Sequence, residues 1–227
     1  MSEVLFAPAK MKELKVDASL PAKYMRQLDT YPLGDMFSGK TVAIKMHLGG
    51  NLGYTTIPPL FVKLLIDKLK AVGASPFVTD GSSAIEGAKD RGYVEQVLGV
   101  PVVPAAGLRE NYFVTLPIGY YNLDEVQVCG EIVNADAMIV YSHGKGHGMC
   151  GWGGAIKNIA MGCVIQKSRG AIHAVYNTDL TWKEELCIHC EMCVANCPNH
   201  AMSFTPDNKL NIFFHHCKYC NHCVTSC

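Results

Sequence analysis

TVAIKMHLGGNLGYTTIPPLFVKLLIDKLKAVGASPFVTD, residues 41–80, decides the fold. Thr41–Met46 is a compact β-prone run that leads into the glycine-rich His47–Gly53. Pro58–Gly73 opens on two prolines, carries apolar residues at helical spacing and closes on a glycine, which is the pattern of a helix. Ser75–Asp80 is a second short strand, ending where Gly81-Ser82-Ser83 begins. Strand, helix and strand in so short a span make a βαβ unit with a right-handed crossover.

Outward from this unit the pattern continues more faintly. Arg91–Gly99 reads as a short helix and VPVVPA, residues 100–105, as a strand. VTLPIGY (114–120) and EVQVCG (125–130) are candidate strands. Ala137–His143 is apolar and β-branched and runs into a second glycine-rich stretch, after which Gly154–Ile165 reads as a helix. The first 35 residues, with Pro8, Pro21 and Pro32, are expected to form an arm packed on the domain. The fold class is α/β: a Rossmann-like layered domain over residues 1–180, followed by a cysteine-rich module over 181–227.

Composition narrows the function classes. A chain of 227 residues with 49% hydrophobic content can bury a real core and is no disordered adaptor. Lys+Arg and Asp+Glu number 20 each, and no basic tract marks a nucleic-acid partner. No apolar run is long enough to span a membrane, and the N-terminal residues lack a signal-peptide core, so a soluble, cytoplasmic protein is expected.

Eight of the 11 cysteines lie between Cys187 and Cys227. Cys187, Cys190, Cys193 and Cys197-Pro198 spell C-x2-C-x2-C-x3-C-P, and Cys217, Cys220, Cys223 and Cys227 repeat the spacing. Three cysteines two residues apart can wrap one corner of a cubane, whereas the fourth lies too far along to close the same site. Paired zinc knuckles are the plainer alternative, but they leave the third cysteine of each run without a purpose. Residues 182–227 resemble the bacterial two-cluster ferredoxins. That resemblance implies two [4Fe-4S] clusters with crossed ligation: Cys187, Cys190, Cys193 and Cys227 for one, and Cys217, Cys220, Cys223 and Cys197 for the other. Each cluster with its four thiolates carries about two negative charges, making the C-terminal end acidic enough to dock a redox partner protein. His189, His200, His215, His216 and His222 then stand around the ligands as surface groups or hydrogen-bond donors to cluster sulfur, with Met192 and Ala201 packed nearby. A ferredoxin would continue past the final ligand, so a longer chain returning to the α/β domain is expected.

Two glycine-rich stretches follow strands, Lys45–Gly50 and His143–Gly154, and both carry lysine and histidine. In open α/β sheets sites form beyond the carboxyl ends of the strands, where both stretches and Asp80 should converge. Backbone N–H groups at a helix start, with Lys45, Lys145 and Lys157, suit a phosphate or carboxylate. His47, His143 or His147 suits a proton donor or a metal ligand, with Cys150 as a further candidate ligand. Asp80 could orient one of them or serve as a turn cap. His173 reads as a structural histidine, and Cys129 and Cys163 as buried thiols. Gly146-x-Gly148-x-x-Gly151 matches a dinucleotide fingerprint by letter but lacks its downstream acidic residue, and the Walker A pattern fails at Trp152.

Lys45-x-His47, Pro76–Asp80, Gly153–Asn158 with Gly162-Cys163, and the paired cysteine runs together resemble the family called domain of unknown function 362, over about residues 40–227. The resemblance implies an α/β domain of unsettled chemistry joined to two clusters. The expected function is that of an iron-sulfur electron-transfer protein or oxidoreductase, passing single electrons from the clusters to a small anionic substrate or second cofactor. His47, His143, Lys145, His147 and Lys157 are its candidate catalytic residues. A pure electron carrier, or a structural or sensor protein without catalysis, is the alternative.

Overall fold

The computed structural model describes residues 4–50, 53–147, 150–175, 181–213 and 216–227. Its centre is a four-stranded parallel sheet of β1 (Thr41–Met46), β2 (Ser75–Asp80), β3 (Val102–Pro104) and β6 (Ala137–Tyr141), in the order β3-β2-β1-β6. This is the strand order of half a doubly wound fold, and it reverses direction between β1 and β6. The α/β reading of residues 41–80 holds: α3 (Pro59–Ala71) connects β1 to β2.

Five of the six residues of β1 are buried, as expected for a parallel strand covered on both faces. Val42, Ile44 and Met46 join one core with Val62, Leu65, Ile66 and Leu69 of α3. Ala43 and Lys45 alternate to the opposite face, where α7 (Ala155–Gly162) packs on β1 and β6. A small residue and a long polar one on that face leave room for a helix that carries Asn158 and Gly162 inward.

The N-terminal region supplies α1 (Leu20–Leu28), capped by Ser19, and α2 (Leu33–Phe37). Tyr24 of α1 lies edge-on to Phe61 at 5.6 Å and stacks on Tyr141 at 6.2 Å, which fixes α1 against α3 and the end of β6. Between β2 and β3 run α4 (Ser82–Glu86) and α5 (Glu95–Leu98), so the helix expected across 91–99 is a single turn, delayed by Gly92 in a left-handed conformation.

The candidate strands at 114–120 and 125–130 form β4 (Phe113–Tyr120) and β5 (Leu123–Cys129), an antiparallel hairpin outside the parallel sheet. After α6 (Gly130–Val133) and β6, the second glycine-rich stretch is itself a hairpin of β7 (Lys145–His147) and β8 (Gly151–Gly153), where the sequence suggested only a loop. Gly148 and Met149 lie outside the described residues. α8 (Gln166–His173) follows α7, and the cysteine-rich module contains α9 (Met192–Ala195), β9 (Met202–Phe204), β10 (Leu210–Ile212) and α10 (His222–Thr225). No helix among the described residues is long and apolar enough to cross a membrane.

Ile66 is fully buried in α3 whereas Leu60, in its first turn, is 54% exposed. Ile66→Ala is expected to lower unfolding free energy by about 2–5 kcal/mol and Leu60→Ala by less than about 0.5 kcal/mol, measured by urea unfolding followed by circular dichroism.

Candidate functional site

At the carboxyl end of β1 the chain buries a lysine completely. Lys45 Nζ donates to Asp80 Oδ1 at 2.9 Å, to Asn158 Oδ1 at 2.7 Å and to the Met46 carbonyl, which uses all three ammonium protons. The second Asp80 oxygen accepts the Leu48 N–H at 2.8 Å. The Asn158 amide donates back to the Lys45 carbonyl at 3.1 Å and to Ser142 Oγ at 2.9 Å. β1, β2, β6 and α7 are thus joined by one polar network. It leaves Lys45 no proton for a ligand, which corrects its expected role as a neutralising cation at the site.

Gly162 is required by the same network. A Cβ there would lie 2.3 Å from Lys45 Nζ and 2.5 Å from its Cε, closer than atoms can approach. The loop after β1 is braced from outside, because Arg91 donates to the carbonyls of Leu48, Gly50 and Gly53 and to Thr56 Oγ1. Gly49 sits at φ +72°, and a Cβ on it would meet the Gly53 Cα at 2.8 Å.

Above this floor lies a cavity of about 190 Å³. Asp80, Ser142, Asn158 and Gly162 line it from the network side, and His47, His143, Lys145, His147 and Lys157 complete the lining. All five candidate catalytic residues therefore face one space, at the point where the strand order reverses. The β7–β8 hairpin explains part of this placement: Lys145 and His147 are two residues apart in a strand and share a face, with Gly146 and Trp152 on the other. The His47 and His143 rings meet edge to face at 5.4 Å.

The cavity is cationic. Among the described residues neither Lys145 nor Lys157 has an ion-pair partner, while the one lining carboxylate, Asp80, is taken up by Lys45. Burial pushes the pKa of His47, His143 and His147 below the usual histidine value, and nearby lysines push the same way. Only Asp80 opposes the shift at His47. Burial also lowers the Lys157 pKa. His173, which sequence reasoning set aside, is lowered by burial and by Lys157, so it belongs to the same electrostatic group. Sequence reasoning missed Arg169, which lines the cavity and pairs with Glu110 at 2.7 Å; a single arginine on α8 and a partner 59 residues away form no motif. Gly153 and Gly154 lie at the start of α7, where the N–H groups of Ala155, Ile156 and Lys157 precede the first intrahelical bond, from Asn158 to Gly154. Helix-start N–H groups, two ammonium groups without an ion-pair partner among the described residues and three histidines suit an anionic ligand. No three His, Cys, Asp or Glu side chains among the described residues gather tightly enough to ligate one metal ion.

The module places its cysteines in two further cavities. Cys187, Cys190, Cys193, Cys223 and Cys227 line one of about 500 Å³. Cys197, Cys217, Cys220 and Cys223 line the other, which is nearly closed at about 10 Å³. The backbone repeats as well: His189 (φ 54°) and Glu191 (φ 58°) in the first run match Tyr219 (φ 50°) and Asn221 (φ 60°) in the second. Left-handed conformations at non-glycine residues are costly and persist where surrounding structure dictates them. His215 lies outside the described residues, and Cys129 and Cys163 are buried, with the Cys129 N–H donating to the Cys163 carbonyl.

Fold and site together define an α/β protein with a cationic cleft at the switch point of a parallel sheet, followed by a cysteine-bearing module. The chain belongs to the family described as domain of unknown function (DUF362), whose model matches residues 42–216. No curated protein and no solved structure matches the chain.

Gly162→Ala should cost about 1–3 kcal/mol in stability, because the new methyl must displace a buried ammonium; denaturant midpoints of the two proteins check this. The depressed histidines set a pH dependence. Below the ordinary value of 6.5 the unfolded chain takes up protons that folded His47, His143, His147 and His173 refuse. Their contribution is present above pH 6.5 and is lost as pH falls through the lowered folded values. Imidazole titrations by NMR should give midpoints below 6.5 for His47 and His143.

Proposed function

We propose that the chain is an iron-sulfur oxidoreductase or electron-transfer protein that holds two [4Fe-4S] clusters and a small anionic substrate or second cofactor. The observation that carries this reading is that the eight cysteines line two cavities; with Cys223, which lines both, assigned to the second, the sets are 187/190/193/227 and 197/217/220/223. In each set three ligands come from one run and the fourth from the other, which is the crossed ligation of a two-cluster ferredoxin. The repeated left-handed residues support it, since they turn the two runs in the same way. Thiolates on a cubane bind four different irons and so stand farther apart than the ligands of a single ion. That accounts for the lack of a mononuclear site among the described residues. The larger cavity suits a cubane directly, and in the smaller one the cysteine side chains must turn outward to admit it.

When bound, the clusters supply one-electron transfer at low potential. The chain's own residues do the rest. Lys145, Lys157 and the α7 N–H groups bind and orient the anionic group. The ring nitrogens of His47 and His143, whose pKa values burial depresses, accept a proton as the anion binds and hold it beside the bound group. Lys45 keeps Asp80 engaged, so that its carboxylate does not neutralise the cations of the cavity. A redox partner protein is expected at the module.

Anaerobically purified protein is expected to contain about eight irons and eight sulfides per chain and to give EPR signals on reduction; far less iron in protected material would refute the cluster assignment. Sulfate keeps one charge across the range and serves as a probe of the cavity. Its affinity, measured by calorimetry, should rise as pH falls through the histidine range, because bound anion favours the imidazolium forms. Lys157→Ala should weaken it by roughly tenfold, corresponding to about 1.4 kcal/mol. Sulfate binding unchanged by Lys157→Ala and by pH would remove the anion from the proposal.

A further inference from the structure

Among the described residues, four buried side-chain nitrogens have no hydrogen-bond partner. Two are the Nε atoms of Arg91 and Arg169, whose guanidinium groups are otherwise engaged. The other two, Trp182 Nε1 and His222 Nδ1, have no such explanation and both lie in the module. Trp182 lines the larger cysteine cavity and His222 the smaller. An N–H that is buried and left unmade loses its hydration with nothing in return, so a buried donor beside a cavity points to an acceptor seated there.

Each cavity is thus lined by one residue that carries a buried, unpartnered nitrogen, supplied by a different route. His222 sits between Cys220 and Cys223, at the position that Met192 occupies between Cys190 and Cys193. The second run thus carries its own donor, whereas the first has a thioether with no proton to give. The first run's donor comes from outside the repeat: Trp182 precedes it, with its ring edge-on to Phe204 at 6.3 Å and to His189 at 6.5 Å. Those contacts hold the indole in place against β9.

We propose that Trp182 Nε1–H and His222 Nδ1–H are hydrogen-bond donors to sulfur, one for each of the two clusters. This rests on the cluster reading above. A donor to sulfide or thiolate stabilises the added negative charge of the reduced state, so each should raise the reduction potential of its own cluster. Both are positioning and tuning residues rather than ligands.

The test uses the full chain, purified anaerobically, with Trp182→Phe and His222→Phe made singly. Potentials of the two clusters are read from EPR-monitored redox titrations, and iron is counted in every sample. The expected result is full iron in both variants, with Trp182→Phe lowering the potential of one cluster and His222→Phe that of the other. Full iron with both potentials unchanged would overturn the inference, as would both variants shifting the same cluster alone. If a variant loses its iron, wild-type protein exchanged into D2O decides. ENDOR of the reduced clusters should show a strongly coupled exchangeable deuteron that disappears in the variant that can be loaded, and its absence from wild type counts against the proposal. Wild-type protein without iron would sink the cluster reading itself, and with it this inference, whereas intact clusters with unshifted potentials would sink the inference alone.

Discussion

A fully buried ammonium organises the α/β domain. Desolvating a lysine costs several kcal/mol, and only complete hydrogen bonding with a nearby opposite charge offsets it. Lys45 meets that requirement by drawing Asp80 from β2, Asn158 from α7 and its neighbour's carbonyl into one shell. The price of the arrangement is constraint: α7 must approach closely, residue 162 can have no side chain, and β6 must bring Ser142 within reach of Asn158. The cavity above inherits its shape from this shell. Because the Asp80 carboxylate is consumed below, the lysines above keep their charge for a ligand.

The module uses a different device. It has few buried apolar residues, with Ala201 and Met202 its only members among the buried hydrophobic groups of the described residues. Short helices and a three-residue strand pair cannot by themselves hold such a segment together. Two runs wound alike, each with two residues in left-handed conformation, carry eight cysteines on a backbone with little core.

Much of this was legible in the sequence, and the reasons differ by residue. The βαβ unit stood out because β-prone runs and a helical period alternate cleanly between Thr41 and Asp80. His47, His143, Lys145, His147 and Lys157 could be gathered in advance because parallel strands present their carboxyl ends on one edge. Lys45 was misread because β1 is buried on both faces, so its pattern gives no sign of whether a polar residue points to the cavity or beneath it. The β7–β8 hairpin was hidden by its glycines, and the separation of β4 and β5 from the sheet depends on pairing that no local period encodes. Arg169 and the buried nitrogens of Trp182 and His222 depend on neighbours distant in sequence, which only the folded chain supplies.

The cavity has a floor and a roof of unequal strength. β1 is bonded on both sides, to β2 and to β6, while β7 and β8 pair with each other over three residues. Local opening free energy should therefore climb steeply from one wall to the other: amides under the cavity exchange only with global unfolding, and those above it through small fluctuations. The wall that bears Lys145 and His147 is therefore the weakly paired one, and the wall over the buried network is the firmly paired one. Two of the five candidate catalytic side chains at the cavity ride on the weaker wall, and Lys157 rides on α7 with the buried network.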